Sequence, residues 1–570
     1  MEIKTPWLSG YGKVRANIDY PDTTISQQIF DVANRQPDKT ALSFMGRNIS
    51  YSHMAKMIDK TARALVAAGV SSGDYVTVCM PNIPQTVYCF YAINMIGAIA
   101  SMIHPLSAEG EIVYYLEQVK GKILITLDQF FPKIVNVTKE YKLDKVIVAD
   151  IADELPKLKS VAYRLISSRK NSKPEYDNVF VKWTDFMSEG NKIGDFYKCT
   201  SDIHSTAVVL FSGGTTGVSK GIELSSFNFN ALAYQTAEMS QCDIASSSML
   251  AAMPMFHGFG LGVCIHTMLA LGGKSILVPR FNVEEYAKLI KKCKPNLIAG
   301  VPSLFEAISN SSYLEGTKLD CLKGVFSGGD SLSPDLKKKI DAFLENHGAD
   351  VKVREGYGTT ECVTASCLTP YFNEKEGSIG LPFPDTYYKI CELGTMIEVP
   401  YGQLGEICIA GPTVMKGYLN HEDETNSTLE THEDGKIWLR TGDLGYMDSD
   451  GFVYFKQRIK RMIITNGYNV YPSQLEAIFN NHEAVLMSCV IGVPDPKKIQ
   501  KVKAYVVLSD GYTASESLKE ELFEHCKKNI AKYAMPYDIE FRDTLPKTKV
   551  GKIAYTELEK EAVQNDVVAK

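Results

Sequence analysis

Apolar residues in this chain come in short runs, separated by stretches of helical period. Residues 206–211 (Thr-Ala-Val-Val-Leu-Phe) are almost wholly apolar over a strand's length, as a strand buried on both faces requires. Residues 275–278 and 297–301 read the same way. Between them, Val283, Tyr286, Ala287 and Ile290 share one face of a helix expected over 283–292. Another helix is expected over 334–347: Ser333 suits its N-cap, Pro334 its first turn and Gly348 its stop. The most apolar region, 76–105, is broken by Pro81, Asn82, Pro84, Gln85 and Asn94. It therefore reads as strand, helix and strand, with no transmembrane segment. Repetition of this kind implies a mainly parallel α/β architecture.

After about residue 385 the pattern changes. Residues 403–410, 436–440 and 452–456 read as strands, with an Asp450-Gly451 turn before the last, so a small antiparallel β subdomain is expected. Beyond Arg458 the chain restarts as an α+β unit. A helix follows Pro472, strands lie near 485–493 and 502–508, and a helix spans roughly 516–530. The expected organisation is a large N-terminal lobe, residues 1–459, of α/β subdomains plus the small β subdomain. A small mobile α+β C-terminal lid domain, 460–570, follows.

The 570 residues, 45% of them hydrophobic, can bury several domain-sized cores. A net charge of −6 gives no sign of a nucleic-acid partner. The opening residues lack a basic stretch followed by an apolar run, so no signal peptide is expected. Thirteen cysteines, spread along the chain without a CxxC pair, fit a reducing, cytoplasmic setting and read mainly as small buried hydrophobes.

Residues 211–221 carry the first candidate chemistry. Ser212, Gly213, Gly214, Thr215, Thr216 and Gly217 follow a buried strand and lead to Lys220. Glycines and hydroxyls let N–H groups close around phosphate oxygens, and the lysine adds positive charge. Alone, the segment reads equally well as a flexible loop. It is not a common P-loop, because Lys220 lies between Ser219 and Gly221.

Four further segments make the case specific. They are Gly356-Tyr357-Gly358-Thr359-Thr360-Glu361, Trp438 to Asp443, Arg458 to Gly467 with 468–472 beyond it, and Pro546 to Ile553. With the first loop they resemble, in order, the signatures of the adenylate-forming superfamily, most closely its acyl-CoA synthetases. Gly213, Ser219, Leu439 and Gln457 depart from the usual pattern without removing a charge that a neighbour cannot supply.

The resemblance implies ATP, Mg²⁺ and coenzyme A as cofactor and cosubstrates, and a small-molecule carboxylic acid as partner. It implies Glu361 as the Mg²⁺ ligand, Thr360 on phosphate, Tyr357 and Gly358 beside adenine, and Gly328, Gly329 and Asp330 as the other adenine wall. Asp443 would accept from both ribose hydroxyls, and Arg458 would reach ribose or phosphate. Lys552 is the implied main catalytic residue, bridging carboxylate and α-phosphate as they approach. His257 would line the acid pocket. Lys460 would be the hinge about which the lid turns, bringing Gly467 in place of Lys552 for thioester formation.

Gly258-x-Gly260-x-Gly262 lies at an expected apolar helix start and lacks dinucleotide context. Its small residues are expected to leave room for a medium- or long-chain fatty acid; an aryl or sterol acid fits too. Three other functions stay open: a stand-alone adenylation enzyme loading a carrier protein, a luciferase-like oxygenase, and an inactive nucleotide-binding scaffold.

Overall fold

The structure, a computed structural model, describes residues 3–167, 174–200, 202–212, 219–465, 468–495, 498–530, 532–548 and 552–568. Two large sheets dominate its first lobe. In one, Val353–Tyr357, Gly324–Ser327, Leu297–Gly300, Ser248–Ala251, Lys274–Leu277 and Thr40–Phe44 run parallel side by side, flanked by short antiparallel strands. In the other, Thr206–Phe211, Ile99–Met102, Tyr75–Cys79 and Ile123–Leu127 are parallel neighbours. Their residues are almost all buried, because helices cover both faces of a parallel sheet.

Helix Pro334–Asn346 starts where Ser333 Oγ accepts from the N–H of Leu336, and Gly348 follows it at φ +73°. The 76–105 region forms Tyr75–Cys79, helix Pro84–Met95 and Ile99–Met102, as its breaks imply.

Three strands depart from the sequence expectation. Residues 436–440 begin a strand that runs on from Ile437 to Met447, because Gly405–Ala410 and Val453–Arg458 pair with it past Gly442. Gly221–Ser225 pairs antiparallel with Thr206–Phe211, so the glycine–threonine loop joins a hairpin. Gly417–Tyr418 then adds itself to that hairpin's outer edge. The Gly258 region also differs. It leads into a wide π-helix, Phe259–Thr267, in place of a regular helix.

Residues after 460 have apolar clusters of their own. One joins Ile463, Leu475, Phe479 and Leu522, and another joins Cys489, Tyr505 and Leu558.

Candidate active site

Asp443 and Arg458 face each other as partners on adjacent strands. The Asp443 carboxylate is buried; its Oδ1 lies 3.0 Å from Arg458 Nε, and its Oδ2 accepts the Tyr357 hydroxyl at 2.6 Å. Burial pushes this carboxyl above its ordinary range against the pull of Arg458 and of Tyr357. Oδ1 makes no hydrogen bond despite the ion pair, so an acceptor is left over, as a diol-binding carboxylate needs. Tyr357 ends strand Val353–Tyr357, and its phenol is pushed up by burial and by Asp443.

Gly328 and Gly329 follow the neighbouring strand. A side chain at Gly328 would come within 3.0 Å of the Gly356 carbonyl, so the two loops touch through backbone. Asp330 accepts the N–H of Ser331 at 2.9 Å.

Glu361 sits in a short turn, Thr360–Cys362, and its Oε1 accepts the Tyr418 hydroxyl at 2.9 Å. Tyr418 pairs with Ile222, which ties Glu361 to the hairpin bearing the glycine–threonine loop. At the foot of that loop Ser212 N–H donates to the Lys220 carbonyl at 2.9 Å, and Lys220 N–H returns a bond to Ser212 Oγ at 3.0 Å. Lys220 Nζ lies 3.3 Å from Glu424 and 4.7 Å above the Tyr418 ring. Gly213, Gly214, Thr215, Thr216 and Gly217 lie outside the described residues, as does Gly467.

Lys552 is tied to Thr548 through its own backbone. Its carbonyl accepts from Thr548 N–H at 2.6 Å, and its N–H donates to Thr548 Oγ1 at 3.1 Å. Burial, reinforced by Arg458, lowers the ammonium's pKa, while Asp330 and Asp443 oppose the shift. His257 is pushed down to about 4 by burial and then by the charge of Lys552. It is therefore neutral at physiological pH, and its Nδ1 accepts Phe259 N–H at 3.2 Å.

One cavity of about 2720 Å³ collects these groups from both lobes. It runs from Ser212 and Lys220 past Glu361, Thr360 and Gly358 to Tyr357, Asp443 and Arg458. Gly328, Gly329, Asp330, His257, Lys460 and Lys552 border it as well. Among the described residues no cluster of three metal-ligating side chains occurs. A lone carboxylate such as Glu361 suits a hard cation that takes its other ligands from phosphates and water.

The space expected at Gly258 and Gly260 is not there. A Cβ on Gly258 would lie 1.7 Å from the Val363 carbonyl, and one on Gly260 2.1 Å from that of Pro254. These glycines serve close backbone contact, so they make no room for a substrate.

Sequence reading missed Tyr418, Glu424 and Tyr114, whose hydroxyl donates to the Ser219 carbonyl at 2.8 Å. Each reaches the site through pairings far along the chain, which no local pattern announces.

Comparison with known proteins identifies the family. The model of AMP-binding enzymes matches residues 29–419, and that of the AMP-binding enzyme C-terminal domain matches 474–552. A long-chain-fatty-acid–CoA ligase of Bacillus subtilis is 34% identical over 99% of both chains. A probable 4-coumarate–CoA ligase 3 of Dictyostelium discoideum is 30% identical, over 94% of this chain and 95% of the other. Among solved structures, the ATP-bound RpMatB-BxBclM chimera B1 superposes with a TM-score of 0.81 at 25% identity, covering 94% of this chain and 98% of that one. The chain belongs to the AMP-binding, adenylate-forming enzymes. Within that class it is an AMP-forming acid–CoA ligase.

Proposed function

We propose that the chain activates a medium- or long-chain fatty acid in two steps, with Lys552, Glu361, Asp443, Arg458 and His257 as working residues. In the first, a carboxylate oxygen attacks the α-phosphorus of ATP and the bond to pyrophosphate breaks, giving acyl-adenylate. In the second, the CoA sulfur attacks the acyl carbon, the bond to AMP breaks and the thiol proton leaves to solvent. The reading is supported most by one observation: cationic Lys552, from beyond residue 460, shares a cavity with buried Asp443 and with Glu361. The name of the Bacillus subtilis relative supports the fatty-acid class.

Asp443 and Arg458 would hold the ribose, and Tyr357 with Gly328–Asp330 would bracket adenine. Mg²⁺ at Glu361 would neutralise phosphate charge when bound. Lys552 would offset repulsion between the acid and the α-phosphate. The domains proposed are 1–459 and 460–570, with Lys460, exposed in the turn Ile459–Arg461, as pivot.

The test measures pyrophosphate release over acids of graded length, with the thioester scored by chromatography after CoA is added. Release and thioester peaking together between roughly C8 and C18 support the reading. Release with thioester only on a carrier protein, or no release with any acid, would overturn it. Asp443→Ala should weaken ATP binding far more than acid binding by calorimetry; unchanged ATP affinity would reject the ribose assignment.

A further inference from the structure

Helix Lys157–Ser167 is amphipathic in the wrong sense for a helix packed on a globular core. Leu158, Val161 and Leu165 are 88%, 61% and 65% exposed, and Leu158 is the most exposed large apolar side chain among the described residues. Spacings of three and four put them on one face, within a sector of about 60°. The inward face is held by Tyr163, packed at the edge of the main core, while half-exposed Arg164 ties the helix's side to Asp153 at 2.7 Å. Scattered exposed hydrophobics are ordinary, but an aligned stripe on a two-layer surface helix is not.

The helix's own charged residues are all cationic. Lys157 flanks the stripe on one side and Lys159 on the other, the eleven residues include no Asp or Glu, and Arg164 is already matched by Asp150 at 3.5 Å and Asp153 at 2.7 Å. Lys159 Nζ donates to the carbonyl of Met45 at 2.8 Å. That contact sets beside the helix a hairpin turn whose Met45 side chain is itself 42% exposed. An apolar strip bordered by lysines is the arrangement with which a helix lies in a lipid headgroup layer: aliphatic side chains enter the acyl boundary and the ammonium groups meet phosphates. A protein groove would be met more commonly by a stripe with charges of both signs at its edges.

We infer that the outward face of helix Lys157–Ser167, with Met45, docks the enzyme on the surface of a bilayer containing anionic phospholipid. The surface is separate from the cavity and does not rest on the acid assigned above. Docking would place the enzyme where sparingly soluble acids concentrate.

The experiment is flotation of the full chain with vesicles of phosphatidylcholine alone, or with a third of phosphatidylglycerol, at low and high salt. The wild type should float with the phosphatidylglycerol vesicles, less so at high salt. Replacing Leu158, Val161 and Leu165 together with glutamine, a good helix former, should cut partitioning by about tenfold or more while pyrophosphate release with a short water-soluble acid is unchanged. Lys157→Glu with Lys159→Glu should cut binding to the anionic vesicles by about fivefold per charge, and serves as the second variant if the first folds poorly. Wild-type protein that stays with the soluble fraction, or variants that float as it does, would overturn the inference. So would a concentration-dependent dimer abolished by the glutamines without vesicle binding, which would make the stripe a contact between two chains.

Discussion

Lys220 ends a segment rich in glycine and threonine and Lys552 one rich in lysine, and both border the same cavity, yet the fold treats their charges differently. Lys220 already has company: the Glu424 carboxylate at 3.3 Å and the face of Tyr418. Lys552 makes no ion pair among the described residues, and burial lowers its pKa. A cation that is matched at rest gains less when an anion arrives, because the old partner must be given up. A desolvated, unmatched cation gains more, and so suits a transition state in which negative charge crowds together.

The contrast can be broken by removing each charge in turn. Lys552→Ala should slow pyrophosphate release by about 10²- to 10³-fold and spare thioester formation from ready-made adenylate; equal losses in both assays would refute it. Lys220→Ala should cost roughly tenfold in kcat/KM for ATP, read from steady-state kinetics at several Mg²⁺ concentrations. If Lys220 proves the more damaging loss, the matched-versus-unmatched distinction fails.

Glu424→Gln sharpens it further. With the half-exposed partner gone, Lys220 should meet phosphate at less cost and KM for ATP should fall by no more than about fivefold. A rise would show that the pair orders the loop instead. The smallest effect is a titration. His257 should have an NMR midpoint near 4, moving up in Lys552→Ala and staying put in Lys220→Ala. Because the folded value lies below the ordinary 6.5, the neutral ring stabilises the fold above that pH. This stability is lost as pH falls from about 6.5 through 4, so His257→Gln should flatten the decline in urea denaturation and change little at pH 7.

Local signals carried the alternation of strands and helices, the Ser333–Gly348 helix with its cap and stop, and the five signature segments. What they lacked was pairing. The two-residue strand Gly417–Tyr418 exists only because Ile222 and Glu223 offer it an edge, and through it Tyr418 reaches Glu361. Strand Ile437–Met447 outruns its apolar start for the same reason: neighbours carry it across Gly442. Gly258 misled in another way. A glycine beside a candidate pocket reads as spare volume, whereas the Val363 carbonyl occupies that space.

Gln457, buried just before the turn Ile459–Arg461, accepts a bond from Ser473 Oγ at 3.2 Å. The pair straddles the seam at which the small lobe would be exchanged between relatives. A graft joined at 460 takes the amide from one parent and the hydroxyl from the other, so a chimera of this enzyme inherits that match or must rebuild it.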